Sequence, residues 1–136
     1  MALPHLASRT GQRWLRLGLG ALTLVALTGC AGTPDFAELE AQVEPPGTLT
    51  LAPDAELRVW IGDAGGTLAE TRATPSGPGP WPVTLRFDRR TLDAARSPQL
   101  SAELRQQGSL THTTSEPAGM PTNERGPVNL RLEPRP

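Results

Sequence analysis

Apolar residues recur at every second position through stretch after stretch of this chain, and that period does most to narrow its possible folds. Leu57, Val59 and Ile61 alternate with Glu56, Arg58 and Trp60. Val83, Leu85 and Phe87 alternate with Thr84 and Arg86. Leu100, Ala102 and Leu104 alternate with Ser101, Glu103 and Arg105, and Val128, Leu130 and Leu132 with Asn129, Arg131 and Glu133. Successive side chains of a β-strand point to opposite faces, so a period of two predicts strands with one buried face. The intervals carry turn chemistry. Asp63-Ala-Gly-Gly66 links the first strand to a return over Thr67 to Ala73, and Gln107-Gly108 links Leu104 to a return over Leu110 to Thr114. Pro75 to Pro80 and residues 115 to 127 read as loops. Fifteen prolines and 14 glycines leave little room for long helices, and Asp88 to Arg96 alone has a helical pattern. The expected fold is all-β: a small sandwich of six to seven short antiparallel strands over residues 48–134. About 85 residues can bury a modest core.

The first thirty residues follow a different logic. Arg9, Arg13 and Arg16 precede an apolar run of 11 residues from Leu17 to Leu27. A membrane-spanning helix needs roughly 20 apolar residues, whereas an export signal needs about half that. The run ends Leu27-Thr28-Gly29-Cys30, with the only cysteine of the chain. An aliphatic residue, two small residues and a cysteine form the lipobox of bacterial lipoprotein precursors. Residues 1–29 are therefore expected to be a lipoprotein signal peptide, and Cys30 the lipidated first residue of the mature chain. Two or more acyl chains hold a protein stably on a bilayer, where one does so only marginally. Ala31, in place of an aspartate, favours the outer membrane. Residues 30–47 read as the lipidated N-terminus and a tether, punctuated by Pro and Gly, with a helical turn or two over Phe36 to Val43 stopped by Pro45-Pro46.

Charge and composition exclude several functions. All 13 basic residues are arginine. From Cys30 onward ten arginines stand against all 14 acidic residues, a net charge of −4. Such a body does not suit a nucleic-acid backbone. One cysteine rules out an internal disulfide, and His112 is the only histidine beyond His5 of the signal, so a zinc site is not expected. Ser109, His112 and Asp88 form a trio that any small protein offers, and no Gly-x-Ser-x-Gly elbow is present. Asp54, Glu56 and Asp63 flank a strand and suit turn and edge roles. No cofactor fingerprint appears. Trp60 and Trp81, within or beside strands, are candidate interface residues if they share a face. Trp60 is out of phase with Val59 and Ile61 and is expected to face outward.

The segments LTLAPDAELRVWIGDAGGTLAETRA, WPVTLRFDRRTLD, PQLSAELRQQGSLTHTTS and GPVNLRLEP, over roughly residues 48 to 134, resemble the YscW/YbaY-type lipoproteins. That family includes pilot lipoproteins of type III secretion secretins and many envelope lipoproteins without an assigned role. The resemblance implies an all-β sandwich, a non-enzymatic envelope role and no catalytic residues. It also implies a longer first strand ahead of Pro53-Asp54-Ala55, where Pro45-Pro46 stands here. The expected function is a membrane-anchored, partner-binding or assembly-chaperone module. Its partner, another envelope protein, would be engaged by strand addition at a sheet edge or in a cleft between sheets. The alternatives are a small-molecule or lipid carrier and passive structural envelope material.

Overall fold

The computed structural model describes residues 33–121 and 126–136. The expected signal peptide and lipobox, up to Cys30, lie outside the described residues. The elements are β1 (Phe36–Glu44), β2 (Glu56–Asp63), β3 (Gly66–Ala73), β4 (Trp81–Asp88), a short helix α1 (Arg89–Asp93), β5 (Gln99–Gln106), β6 (Ser109–Thr114), β7 (Ala118–Gly119) and β8 (Val128–Pro134). The strands form one sheet in the order β3-β2-β5-β6-β8-β1-β4, with β7 on β5. The sheet curls until its two end strands, β3 and β4, lie side by side without a hydrogen-bonded ladder between them. The result is an all-β, sandwich-like structure, nearly closed.

The alternation explains the interior. Leu57, Val59 and Ile61 of β2, Leu100, Ala102 and Leu104 of β5, and Leu130 and Leu132 of β8 are almost fully buried. Leu39, Ala41 and Val43 of β1 and Trp81, Val83 and Leu85 of β4 complete the same cluster. The turns have the expected chemistry. Asp63 Oδ1 accepts the Gly65 N–H at 2.8 Å. Gln107 and Gly108 both take positive φ, 54° and 76°, as a two-residue hairpin of the right-handed twist demands. The Gln107 N–H donates to both oxygens of Asp54, at 3.1 and 2.9 Å. Gln106 Oε1 accepts the Ala52 N–H at 2.6 Å. These bonds hold the segment before β2 against the β5–β6 turn. Helix α1 falls where the sequence placed it, with Asp88 as its N-cap accepting the Arg90 N–H at 3.0 Å.

Two expectations need correction. Residues 36–44 are not tether or helical turn but strand β1, inside the sheet between β8 and β4. Ala37, Leu39, Ala41 and Val43 face in, while Glu38, Glu40 and Glu44 face out. Alanine, glutamate and glutamine favour helix, but pairing on both edges overrides that weak preference. Pro45-Pro46 ends this strand rather than interrupting it, so the domain begins ahead of residue 48. Seven strands lie along the path of the sheet, as the alternation predicts, and two-residue β7 adds an eighth on β5. Finally, the pairing is not wholly antiparallel. β1 and β8 run parallel, from Ala41↔Val128 to Glu44↔Arg131.

Strand β8 is shared. Val128 to Arg131 pair with β1, and Leu132 to Pro134 pair with β6. Leu130 and Leu132 therefore sit where the β4-β1 pair joins the larger group of strands. In a soluble form beginning at Pro34, Leu130→Ala should lower the unfolding free energy by about 2–5 kcal/mol. Asn129→Ala, on the outer face, should change it by about 0.5 kcal/mol or less. Urea unfolding followed by tryptophan fluorescence checks both.

Candidate partner-binding cleft

At one end of the unpaired seam, the loop of residues 74–80 crosses from β3 to β4 and walls a cleft of about 430 Å³. Leu57, Ala73, Trp81, Val83 and the buried Pro75 supply its apolar surface, and Pro78 and Pro80 its exposed rim. The loop, Thr-Pro-Ser-Gly-Pro-Gly-Pro, is built for a fixed path. Its prolines lock φ, and Gly77 and Gly79 take the positive φ values of 72° and 76° that side chains disfavour. Trp81 Nε1 donates to the Gly77 carbonyl at 3.1 Å, which pins the loop to the first residue of β4. Gly79 lies against Pro45. A Cβ there would fall 2.6 Å from Pro45 Cδ and 2.9 Å from its Cγ. The wall of the cleft is thus tied both to the core and to the end of β1.

The two tryptophans do not share a face. Trp81 points inward and is 5% exposed, so it is a core residue and forms the cleft from behind. Its burial removes the shared outer face on which Trp60 and Trp81 were candidate interface residues. The phase that puts Trp60 outside puts Trp81 inside, with Val83 and Leu85. Trp60 is half-buried on the outer face of β2, where the Arg58 guanidinium lies 4.5 Å above its ring. Around it, charges from three strands interlock. Arg58 bonds Glu70 at 2.7 Å and approaches Glu103 at 3.6 Å, while Arg72 bonds Glu56 at 3.1 Å. The hydrogen bond from Arg58 is the main reason the Glu70 carboxyl is held below the usual carboxylate range. This face is internally neutralised.

The other residues singled out by sequence have structural tasks. Asp54 caps the β5–β6 turn, Glu56 pairs with Arg72, and Asp63 accepts the N–H groups of Gly65 and Arg96. Asp88 caps α1. His112 Nδ1 lies 2.9 Å from Thr111 Oγ1, and burial pushes its pKa down. His112 and Ser109 are on β6 and Asp88 is at the end of β4, with β8 and β1 intervening. The imagined trio is not brought together. Sequence reasoning missed the cleft because Pro75 to Pro80 announces a loop but not what the loop covers. Gly79→Ala should cost about 1–3 kcal/mol through its φ and its contact with Pro45. Ser76→Ala, on the exposed side of the same loop, should be close to neutral. Thermal unfolding of the two variants separates these outcomes.

A family model described as type III secretion system lipoprotein chaperone (YscW) matches residues 35–132. The match begins one residue before β1, so this strand lies within it. Among solved structures, an alternative pilotin from the type II secretion system of Vibrio cholerae has a similar fold. It is 19% identical, with a TM-score of 0.61, and the alignment covers 73% of this chain and 98% of that one. None of the curated proteins matches the chain. With β1 through most of β8 inside the matched span, the chain belongs to the YscW family of type III secretion system lipoprotein chaperones.

Proposed function

We propose that this protein is a non-enzymatic lipoprotein of the outer membrane that binds a secretion-system component, with a secretin as the expected partner, and escorts its assembly. The observation that carries this reading is the family match across the strands of the domain. The pilotin-like fold agrees with it. The Leu27-Thr28-Gly29-Cys30 motif supplies the anchor, through acyl chains on Cys30, and Ala31 favours the outer membrane. Confinement to a membrane surface raises the local concentration of a partner on the same membrane.

The cleft beside Trp81 is the proposed docking site, and its construction bears on how a partner binds. Strand addition needs a row of free backbone donors along an edge. Pro82, an outward-facing residue of end strand β4, lacks one, and the prolines before it extend the interruption. Insertion of apolar side chains between the 74–80 loop and β3 therefore suits this edge better than a new strand. A carrier role is less well served. The side chains of the interior fill it, and the cleft opens at the seam rather than into the core.

Crosslinking of the lipidated protein in cells, followed by mass spectrometry, tests the assignment. It should capture a secretin, and Pro78→Arg, which places a long charged side chain at the exposed rim, should reduce capture at least tenfold without unfolding the domain. Capture unchanged by Pro78→Arg would move the partner to another surface, and no specific partner at all would remove the chaperone reading. Cys30→Ser should leave the protein unlipidated and absent from the outer-membrane fraction, as membrane flotation and intact-mass analysis report.

A further inference from the structure

Phe36 is the one large hydrophobic side chain that stands exposed among the described residues, at 51% of its surface. It opens β1 and points to the outer face, as the alternation of that strand requires. The Arg86 guanidinium of β4 lies 4.2 Å above its ring. No carboxylate is paired with Arg86 among the described ion pairs, although Glu38 is its register partner. The backbone at this point is fixed. The Arg89 N–H donates to the Asp35 carbonyl at 2.8 Å, which ties the approach to β1 to the start of α1. Arg90 is exposed at the same end.

The position of this pair along the chain points to its occupant. Phe36 is six residues after Cys30. At 3.3–3.6 Å per residue, the intervening backbone spans at most about 20 Å, whatever path it takes. If Cys30 carries acyl chains, this aromatic never leaves the vicinity of the bilayer surface. An aromatic ring with an arginine stacked on it suits that boundary. The ring can enter the apolar edge of the headgroup layer while the guanidinium stays with the phosphates. We propose that Phe36 and Arg86 form a membrane seat that rests on phospholipid headgroups beside the anchor, an inference that depends on lipidation at Cys30. The seat sets the orientation of the domain. The β1–β4 ladder runs from Phe36↔Asp88 at this end to Val43↔Trp81 at the other. Seven strand residues at about 3.4 Å each place the Trp81 cleft up to about 24 Å further from the bilayer than the seat, the full distance when the strand stands end-on.

The test uses the full lipidated protein carrying Phe36→Trp, bound to vesicles of phosphatidylethanolamine and phosphatidylglycerol with brominated acyl chains. Bromine quenches indole only at short range. The emission added by the substitution should fall by at least half relative to non-brominated vesicles, with a blue shift. Thr84→Trp, on the same outer face but further along β4, should show little quenching. Flotation of the same samples reports the anchor independently. Flotation without quenching of the Phe36→Trp emission overturns the seat and leaves the anchor standing. Failure to float overturns both. Equal quenching of the two variants overturns the end-on orientation, since the sheet would then lie flat on the bilayer.

Discussion

Strand β8 pairs with a different neighbour along each half of its length, and the architecture depends on that division. Its first four residues lie parallel to β1, and its last three lie antiparallel to β6. Without the first ladder, β1 and β4 would be a lone antiparallel pair, which is marginal in water. Without the second, the remaining strands would expose Leu57, Val59, Leu100 and Leu104 across an open face. Leu130 and Leu132 are 2% and 1% exposed because they lie under both groups at once. Two apolar side chains spaced by one position thus commit the whole sheet to its curl.

That curl leaves a seam between β3 and β4, and the seam gives the domain its usable surface. An exposed pair of strand edges invites association between copies. Here the edges face each other, and proline interrupts β4 at Pro82. The same loop that bridges the seam builds the cleft, so protection of the edges and formation of the cleft come from one device. The outer face of β2, β3 and β5 contributes differently. Its arginines and glutamates are matched among themselves, which leaves that surface without an unsatisfied charge pattern to attract a partner.

Much of this was legible in the residues. The alternations of β2, β4, β5 and β8 are read directly, as are the returns of β3 and β6, the turn at Gln107-Gly108 and the helix after Asp88. In each case a period of two or a turn residue with a specific φ requirement carries the signal. β1 was not read, because FAELEAQVE combines helix-favouring residues with small inward alanines whose burial is decided by strands far away in sequence. The parallel pairing of β1 and β8 was equally hidden, since no local pattern records which distant strand will be the neighbour. The burial of Trp81 is also carried by the pattern. Applied to β4, the phase rule that placed Trp60 outside would have placed Trp81 with Val83 and Leu85. The cleft itself arises where a loop meets two strand ends, and composition alone does not describe such a meeting.

The location of β1 has a consequence for how such a chain is made. Its first strand reaches its final surroundings only when its last strand is present, because β8 supplies one of its two ladders and β6 must already be in place to hold β8. Pairings of such long sequence separation form slowly and late. A nascent chain emerging N-terminus first can pair β1 with β4, but Ala41 to Glu44 lack their second ladder until almost all of the chain has been delivered. If the chain is exported as proposed, that ordering keeps the polypeptide threadable through a translocation channel until the final strand arrives and locks the sheet.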